Sequence, residues 1–170
     1  AQGARNGEQV LARLREQPPA IWYRGEPVKD ATTHPALMGG VHTLARLYDL
    51  QMEKAEITLY NSPTSGNKVA RSFMMPRTRE ELASISRAMK VWEDYTHGMM
   101  GRVPDYLNRA ITGLAAGAGF LSEADARFGP NAARYYEYLR ENDLCMTHTL
   151  IPPQANRAVS LAKQADPFLA

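Results

Sequence analysis

Cysteine and long apolar runs are nearly missing from this sequence. Cys145 is the single cysteine among 170 residues, so the chain has no disulfide framework of its own, as is typical of a reducing compartment. No run approaches the roughly 20 apolar residues that a membrane-spanning helix needs, and no signal peptide is recognisable. We therefore expect a soluble, cytoplasmic protein with no membrane partner.

The sequence also lacks a large excess of either positive or negative charge. The 20 lysines and arginines nearly balance the 18 aspartates and glutamates, and the two signs are interleaved along the chain. A nucleic-acid partner usually requires a basic stripe, so this pattern argues against one. The four histidines lack the spacing of metal ligands and the cysteine has no partner cysteine, so no metal site is predicted.

The apolar residues that are present recur mostly at helical spacing. Thr78 and Glu81 match a capping box at the start of one helix, which is expected to bury Leu82 and Trp92. The predicted helices cover residues 8–17, a segment opened by Thr32–Pro35, residues 78–98, a segment opened by Pro104 that continues through 113–119, and residues 130–142.

Two hairpins are expected between these helices. Ile21–Tyr23 and Pro27-Val28 flank a short turn, and Ile57–Tyr60 is predicted to pair with Ser72–Met75 across a loop rich in Ser, Pro, Gly and Asn. The patterns therefore predict a mainly α fold with small β hairpins.

Arg102 and Tyr106 are the first candidates for chemistry. They lie four residues apart, so they share one face if Pro104 opens a helix. A cation beside a bound phenol lowers the phenol's pKa from about 10 by roughly 1–3 units, which favours the electron-rich phenolate. The alternative is a surface arginine near a helix start, where its charge opposes the helix dipole.

His148 and the polar segment after Pro152-Pro153 are the next candidates. The imidazole shares a face with apolar residues of the alternating run 144–151, where it is able to take a substrate proton. A lone histidine in such a run is more often packed and hydrogen-bonded. By their residues alone, Gln154, Asn156 and Arg157 favour a solvated loop.

Several of these segments carry a resemblance to a known family. The chain resembles the N-terminal domain of the large oxygenase component of 4-hydroxyphenylacetate 3-monooxygenase and related two-component, flavin-dependent phenol hydroxylases. The resemblance implies the helical N-terminal domain of the acyl-CoA dehydrogenase-like flavoprotein fold over residues 1–153, followed by a connector at 154–170 toward an absent β domain. The motifs that carry it are Trp22–Glu26, Asp30–Pro35, Leu47–Asp49, Met99–Tyr106, Asn142–Leu144, Thr147-His148 and Gln154–Arg157.

The resemblance also implies a reaction. Such an enzyme adds a hydroxyl group ortho to the hydroxyl of a phenol, using O2 and FADH2 that a separate NADH-dependent reductase supplies. It implies that Arg102 stabilises the phenolate, that Tyr106 hydrogen-bonds its oxygen, and that His148 shares its proton beside the flavin. The implied flavin contacts further along the chain are Gln154, Asn156 and Arg157.

The resemblance leaves other features open. The full-length form is expected to be a homo-oligomer and this chain to be inactive alone, while the identity of the phenol stays undetermined. One alternative is a lyase similar to 4-hydroxybutyryl-CoA dehydratase, whose iron–sulfur cluster needs more thiolates than Cys145 offers. The other is a helical interaction module without chemistry.

Overall fold

The protein is built from helices and two short antiparallel hairpins. The computed structural model describes residues 3–98, 105–146, 156, 158–160 and 163, and all structural statements refer to these residues. The helices are α1 Gly7–Glu16, α2 Met38–Glu53, α3 Ala55–Thr58, α4 Arg79–Thr96, α5 Asp105–Ala116, α6 Ala118–Ala124 and α7 Phe128–Asn142, with a 3-10 turn at Arg71–Phe73; the strands are β1 Ile21–Tyr23, β2 Glu26–Val28, β3 Leu59–Asn61 and β4 Lys68–Ala70.

The described core has two parts. Leu47 and Leu50 of α2 pack against Ala88 and Trp92 of α4, and the Trp92 indole N–H donates to the Leu47 carbonyl at 3.1 Å. The second part joins α5, α7 and the end of β4, and it comprises Ala70, Phe73, Ile111, Tyr136 and Leu139. Burial of these side chains against neighbouring elements stabilises the helices more than their intrinsic propensities do.

Local signals set the start of α4 and of α1. The Thr78 hydroxyl accepts the Glu81 N–H at 3.2 Å, as predicted, but the predicted return bond to Thr78 is replaced: the Glu81 carboxylate accepts the N–H of Arg77 at 2.6 Å. Asn6 and Gln9 form a reciprocal capping box at the start of α1. Leu82 is 54% exposed, so its predicted burial is wrong: the buried stripe of α4 begins one turn later, at Ile85.

The start of α2 differs from the prediction. Asp30 accepts both the N–H and the hydroxyl of Thr32 at 2.7 Å, and its carbonyl accepts the N–H of His34 at 3.0 Å. These bonds hold residues 30–34 in a turn, so the helix begins at Met38 and not at Thr32–Pro35.

The second hairpin does not use the predicted strand Ser72–Met75: Ser72 and Phe73 lie in the 3-10 turn, and the strand that pairs is Lys68–Ala70. Ile57 and Thr58 belong to α3, where the Thr58 hydroxyl donates to the Gln51 carbonyl at 2.6 Å. Pairing is limited to β3 and β4, with Tyr60 opposite Val69. The Arg71 guanidinium donates to the carbonyls of Ile57 and Leu59, which turns the chain out of the ladder after Ala70.

The glycine-containing tract 113–119 does not continue one helix. Helix α5 ends at Ala116, Gly117 precedes α6, and α6 packs against α7. Glycine weakens a helix interior by about 1 kcal/mol relative to alanine, so a break here is inexpensive and allows α6 to fold back. None of the described helices is both long and apolar enough to span a bilayer.

We predict opposite effects for two glycine-to-alanine changes. A Cβ atom at Gly129 would overlap the Ala118 carbonyl oxygen and the Ser122 hydroxyl, whereas one at Gly113 would meet open space. Gly129→Ala should therefore lower the free energy of unfolding by about 1–3 kcal/mol through overpacking. Gly113→Ala should raise it by up to about 1 kcal/mol. Urea unfolding followed by Trp92 fluorescence measures both; equal stability of the two variants would contradict the described α6–α7 contact.

Candidate functional site

Two of the predicted site residues lie within the described structure. Tyr106 is in the first turn of α5 and its side chain is 39% exposed. Asn156 is exposed, and its side-chain oxygen accepts the N–H of Ala158 at 3.0 Å. The other four, Arg102, His148, Gln154 and Arg157, lie outside the described residues, so the convergence of Arg102, Tyr106 and His148 stays a prediction.

The position of Tyr106 depends on how α5 is anchored. The buried Asn108 amide donates to the Ser72 hydroxyl at 2.8 Å, and one guanidinium nitrogen of Arg109 donates to the carbonyls of Ser72 and Met74 at 2.9 and 2.6 Å. These bonds bind the inner side of α5 to the 3-10 turn. Since successive residues are about 100° apart around a helix, Tyr106 lies far around α5 from buried Asn108 and remains accessible.

The two helices that precede Arg102 and His148 in the sequence, α4 and α7, each end at a residue with a left-handed backbone conformation. His97 ends α4 with φ 51°, and Asp143 ends α7 with φ 46°. Each is five positions before a candidate residue, Arg102 and His148 respectively. The Gly98 N–H donates to the Glu93 carbonyl at 3.0 Å and the Leu144 N–H to the Leu139 carbonyl at 3.1 Å, as in helix C-caps that turn the chain away from the axis.

Asp143 is at the centre of a buried polar cluster. Its carboxylate accepts the backbone N–H of Arg5 at 2.9 Å and the Gln51 side-chain amide at 2.7 Å. Its carbonyl accepts the Tyr48 hydroxyl at 3.3 Å and two N–H groups of the Arg5 guanidinium, Nε at 3.1 Å. The cluster joins the N-terminal segment, α2 and the end of α7.

Burial and hydrogen bonding act in opposite directions on this carboxyl group. Burial raises the pKa of Asp143, while hydrogen bonds from Arg5 and Gln51 partly offset that shift. Burial, with the nearby Asp143 and Cys145, also raises the pKa of the Tyr48 hydroxyl. The Tyr48 hydroxyl therefore stays protonated and donates to the Asp143 carbonyl.

The pKa of Glu141 is shifted in the opposite direction, although Glu141 is only two residues from Asp143. Burial alone would raise its pKa, but donation from Ser62, Ser65 and Arg140 outweighs burial and holds the pKa below its ordinary value. The Ser65 hydroxyl and the Arg140 Nε lie 2.5 and 2.8 Å from the carboxylate. This ionised group fixes the β3–β4 loop to α7.

A cleft of about 570 Å³ lies beside these elements. Its lining includes Leu107 of α5 and residues 144–146, which follow α7, together with Tyr135 and Tyr138. Tyr106 is not among its lining residues. Its lining residues Leu107 and 144–146 are thus neighbours in sequence of the candidates Tyr106 and His148. The described geometry does not identify this cleft as the phenol pocket.

The residues of the Asp143 cluster were missed by sequence reasoning. Arg5 and Asp143 are 138 positions apart, and Gln51 and Asp143 are 92 apart, so no local pattern relates them. The sequence offered one usable signal, the polar residue Asp143 between the predicted helix and the run 144–151. Its position indicates a helix C-cap, although glycine is the usual residue there.

Comparison with solved structures defines the class of fold. A crystal structure of the oxygenase component of 4-hydroxyphenylacetate 3-monooxygenase, complexed with FAD and 4-hydroxyphenylacetate, superposes with a TM-score of 0.87 at 43% identity and covers 96% of this chain and 34% of that one. An archaeal 4-hydroxybutyryl-CoA dehydratase from N. maritimus is similar in fold alone, with a TM-score of 0.80 at 20% identity over 98% of this chain and 33% of that one. The chain has the helical N-terminal domain of the acyl-CoA dehydrogenase-like flavoprotein fold, as expected.

Sequence relatives identify the family within that class. The chain is 43% identical over 163 residues to the 4-hydroxyphenylacetate 3-monooxygenase oxygenase component of Geobacillus sp., and 42% identical over 166 residues to that of Thermus thermophilus. These matches cover 96% and 98% of the chain. A family model described as 4-hydroxyphenylacetate 3-hydroxylase N terminal matches residues 6–170. The chain belongs to this family, and it spans about a third of the length of these relatives.

We predict that Glu141→Gln changes the acid sensitivity of the fold. The folded-state pKa of Glu141 is below its ordinary value of 4.5, so its stabilising effect is complete above that value and is lost as the pH falls through the folded pKa. Glu141→Gln should lower the free energy of unfolding at pH 7 by about 1–3 kcal/mol. It should also flatten the loss of stability below pH 4.5, measured by urea unfolding across a pH series.

Asp143→Asn is the matched control for this measurement. Burial raises the pKa of Asp143 in the folded state above its ordinary value of 3.8. The contribution of Asp143 to the free energy of unfolding therefore falls as the pH rises from 3.8 through the folded-state pKa. Asp143→Asn should for this reason change the pH dependence of stability in the opposite sense to Glu141→Gln. A Glu141→Gln variant with an unaltered acid slope would show that the Ser62, Ser65 and Arg140 bonds do not hold the carboxylate ionised.

Proposed function

We propose that the full-length protein carrying this sequence is the oxygenase component of a two-component, flavin-dependent phenol hydroxylase. It adds a hydroxyl group ortho to the hydroxyl of a phenol such as 4-hydroxyphenylacetate, with O2 as co-substrate. A separate NADH-dependent reductase supplies FADH2, which is consistent with a cytoplasmic location. In this proposal residues 1–153 form the helical domain, residues 154–170 connect it to a β domain, and the complete enzyme is a homo-oligomer.

The observation that carries the proposal is the 43% identity to a named oxygenase component across 96% of the chain. Identity at this level over several separate segments supports a shared reaction more strongly than the fold does, because one fold hosts many reactions. The solved relative with a TM-score of 0.87 was complexed with FAD and 4-hydroxyphenylacetate. Both molecules are therefore the first ligands to test on this protein.

The proposed roles follow from the chemistry of three side chains. Arg102 holds the phenol oxygen as phenolate, Tyr106 donates a hydrogen bond to that oxygen, and His148 accepts or shares its proton. A cation that lowers the phenol's pKa by about 1–3 units raises the phenolate fraction at neutral pH about 10- to 1000-fold. The partly exposed Tyr106 at the start of α5 is compatible with this role because its hydroxyl is not enclosed within the described core.

The flavin is proposed to lie along the segment that follows Pro152-Pro153. Asn156 is exposed and carries both a donor and an acceptor, which suits the polar edge of an isoalloxazine ring. Gln154, Arg157 and His148 complete the proposed contacts. When bound, reduced flavin supplies the electrons for O2 activation, while the chain's own residues orient the phenol and keep water away.

The other two interpretations receive less support. The dehydratase is 20% identical, which concerns the fold alone, and the cluster chemistry of that alternative needs several thiolates, whereas this chain holds only Cys145. A helical interaction module would explain the exposed aromatic side chains, but it would not account for identity spread across 163 residues to a monooxygenase component.

The proposal is tested by assaying full-length protein with FADH2, O2 and 4-hydroxyphenylacetate. The wild-type protein should form the ortho-dihydroxylated product. Arg102→Ala should lower the hydroxylation rate more than tenfold and release more hydrogen peroxide, because the ring is left as the less reactive phenol. Product and peroxide are quantified in the same reaction.

Arg79→Ala serves as the control for loss of an arginine. Arg79 is exposed in the first turn of α4 and should retain wild-type coupling. Normal coupling in Arg102→Ala would refute the role assigned to Arg102. No hydroxylated product from the wild-type protein with any simple phenol would refute the proposed function itself.

The 170-residue chain by itself is predicted to be inactive and to bind reduced flavin weakly. It spans a third of the relatives' length, and the side chains of Tyr106 and Asn156 are both exposed in the described structure. Anaerobic equilibrium dialysis with FADH2 should show well below one flavin per chain, with full-length protein as the positive control. Stoichiometric binding by the isolated chain would contradict this prediction.

A further inference from the structure

The first residue of α1 lies against α2 with no room for a side chain. A Cβ atom at Gly7 would overlap the carbonyl oxygen of Ala45 and would lie 2.7 Å from the Asp49 carboxylate. The contact with Ala45 involves backbone, which cannot be relieved by a change of rotamer, so a larger residue would push the two helices apart. The packing of α1 on α2 therefore requires glycine at position 7.

The residue before Gly7 caps the same helix. The Asn6 side-chain oxygen accepts the Gln9 N–H at 2.9 Å, and the Gln9 side-chain oxygen accepts the Asn6 N–H at the same distance. Asn6 is exposed to water, whereas Gly7 is buried. Capping by asparagine and close packing by glycine together create the single Asn-Gly pair of the sequence.

An Asn-Gly pair reacts spontaneously in an unrestrained chain. The glycine nitrogen forms a bond to the asparagine Cγ, the Cγ–Nδ2 bond breaks, and the proton of the glycine N–H leaves with Nδ2 as ammonia. Water then opens the cyclic imide: cleavage at Cγ leaves aspartate, and cleavage at the main-chain carbonyl carbon leaves isoaspartate. Glycine favours this reaction because no side chain shields its nitrogen and its backbone rotates freely.

The folded chain restrains both reacting groups. The Gly7 N–H donates to the Asp49 carboxylate at 2.8 Å, so the nitrogen attacks only after this bond is lost. Ring closure also requires the Gly7 nitrogen and the Asn6 Cβ to be nearly eclipsed about the Asn6 Cα–C bond, whereas at ψ 174° they are staggered. The rotation that would eclipse them moves Asn6 out of its capping bonds with Gln9. The reaction therefore requires the first turn of α1 to open.

We propose that Asn6 is a modification site, which is converted through the cyclic imide to aspartate and isoaspartate when the first turn of α1 opens. In the folded protein the Asp49 carboxylate holds this reaction back, because it binds the attacking N–H and its negative charge stabilises the closed helix start. The modification is independent of the reaction proposed above.

Isoaspartate at position 6 would release the N-terminal segment. The main chain before Asn6 is fixed, because the Ala4 N–H donates to the Lys68 carbonyl at 2.7 Å and the Arg5 N–H to the Asp143 carboxylate at 2.9 Å. Isoaspartate carries the main chain through its former side chain, which adds a methylene group ahead of Gly7 and removes the cap of α1. Since ammonia is lost, the change is not reversed when the helix closes.

The test follows conversion of Asn6 in full-length protein at neutral pH, by mass spectrometry of peptides, with the isoaspartate and aspartate products separated by chromatography. Conversion in the folded wild-type protein should be at least about tenfold slower than in urea-unfolded protein, because a restrained pair reacts only through local opening. Asp49→Ala should raise the rate in the folded protein at least about fivefold. If Asp49→Ala does not fold, Asp49→Asn retains an oxygen acceptor without the charge and should give a smaller increase.

Two further variants are controls. Asn6→Asp keeps a capping oxygen and has no side-chain amide to lose, so its peptide should show no change of mass. Gly129→Ala is expected to destabilise the contact of α6 with α7, far along the chain from α1, and should leave the rate at Asn6 within about twofold of wild type. A rate in Gly129→Ala equal to that in Asp49→Ala would show that general unfolding, and not opening of α1, controls the reaction.

The remaining outcomes are also decisive. Folded wild-type protein that reacts as fast as unfolded protein overturns the protection by the fold, and an unchanged rate in folded Asp49→Ala overturns the role of Asp49. Absence of conversion at Asn6 in the unfolded protein overturns the site itself. None of these measurements involves a phenol or a flavin, so failure of the proposed function and failure of the Asn6 site are observed separately.

Discussion

Arginines that donate to backbone carbonyl groups, one of them buried and two half-buried, hold the described elements of this protein together. Arg5 binds the carbonyl of Asp143 at the end of α7, Arg71 binds those of Ile57 and Leu59 around the end of α3, and Arg109 binds those of Ser72 and Met74 at the 3-10 turn. The last turn of a helix leaves carbonyls unpaired and carries partial negative charge, so a guanidinium is well suited to it. Hydrogen bonds from charged donors contribute roughly 1.5–3 kcal/mol each, more than neutral ones.

The use of backbone carbonyls, and not carboxylates, as partners of these arginines has a consequence for the proposed phenol site. A surface ion pair is worth about 0–1 kcal/mol and tolerates many geometries, whereas a guanidinium on a particular carbonyl orients one peptide plane. Burial lowers the pKa of Arg71 and of Arg109, yet both groups remain cationic at neutral pH. The elements that carry Tyr106 and that lead toward His148 are thus anchored by fixed charges near helix ends, which favours a rigid frame for the proposed phenol site.

Much of the helical framework was predictable from local patterns. The spacing of apolar residues and the nearby prolines led to α1 and α7 within two residues of their observed ends, and Thr78 marked the start of α4. The first hairpin also followed from its short turn. Local patterns failed at two places: the Asp30 side chain forms a turn with Thr32 ahead of α2, and the Arg71 guanidinium, bonded to the carbonyl of Ile57 fourteen positions away, lies where the second strand of the second hairpin was expected to begin. Of the candidate site, residue types and their order along the chain were accessible, and the family resemblance supplied their roles.

The sequence by itself determined the helical class, the family and the residue types offered to a phenol and a flavin, because periodicity, capping and motif order are local properties of the chain. Tertiary structure alone decided that Arg5 reaches Asp143 across 138 positions and that two neighbouring carboxyl groups, Glu141 and Asp143, have pKa values displaced in opposite directions. The physical reason is that burial and hydrogen-bond donors act on a group through space. Both carboxyl groups are buried, but Glu141 accepts hydrogen bonds from two hydroxyls and a guanidinium, enough to hold its pKa below the ordinary value, whereas for Asp143 the donors do not outweigh the effect of burial.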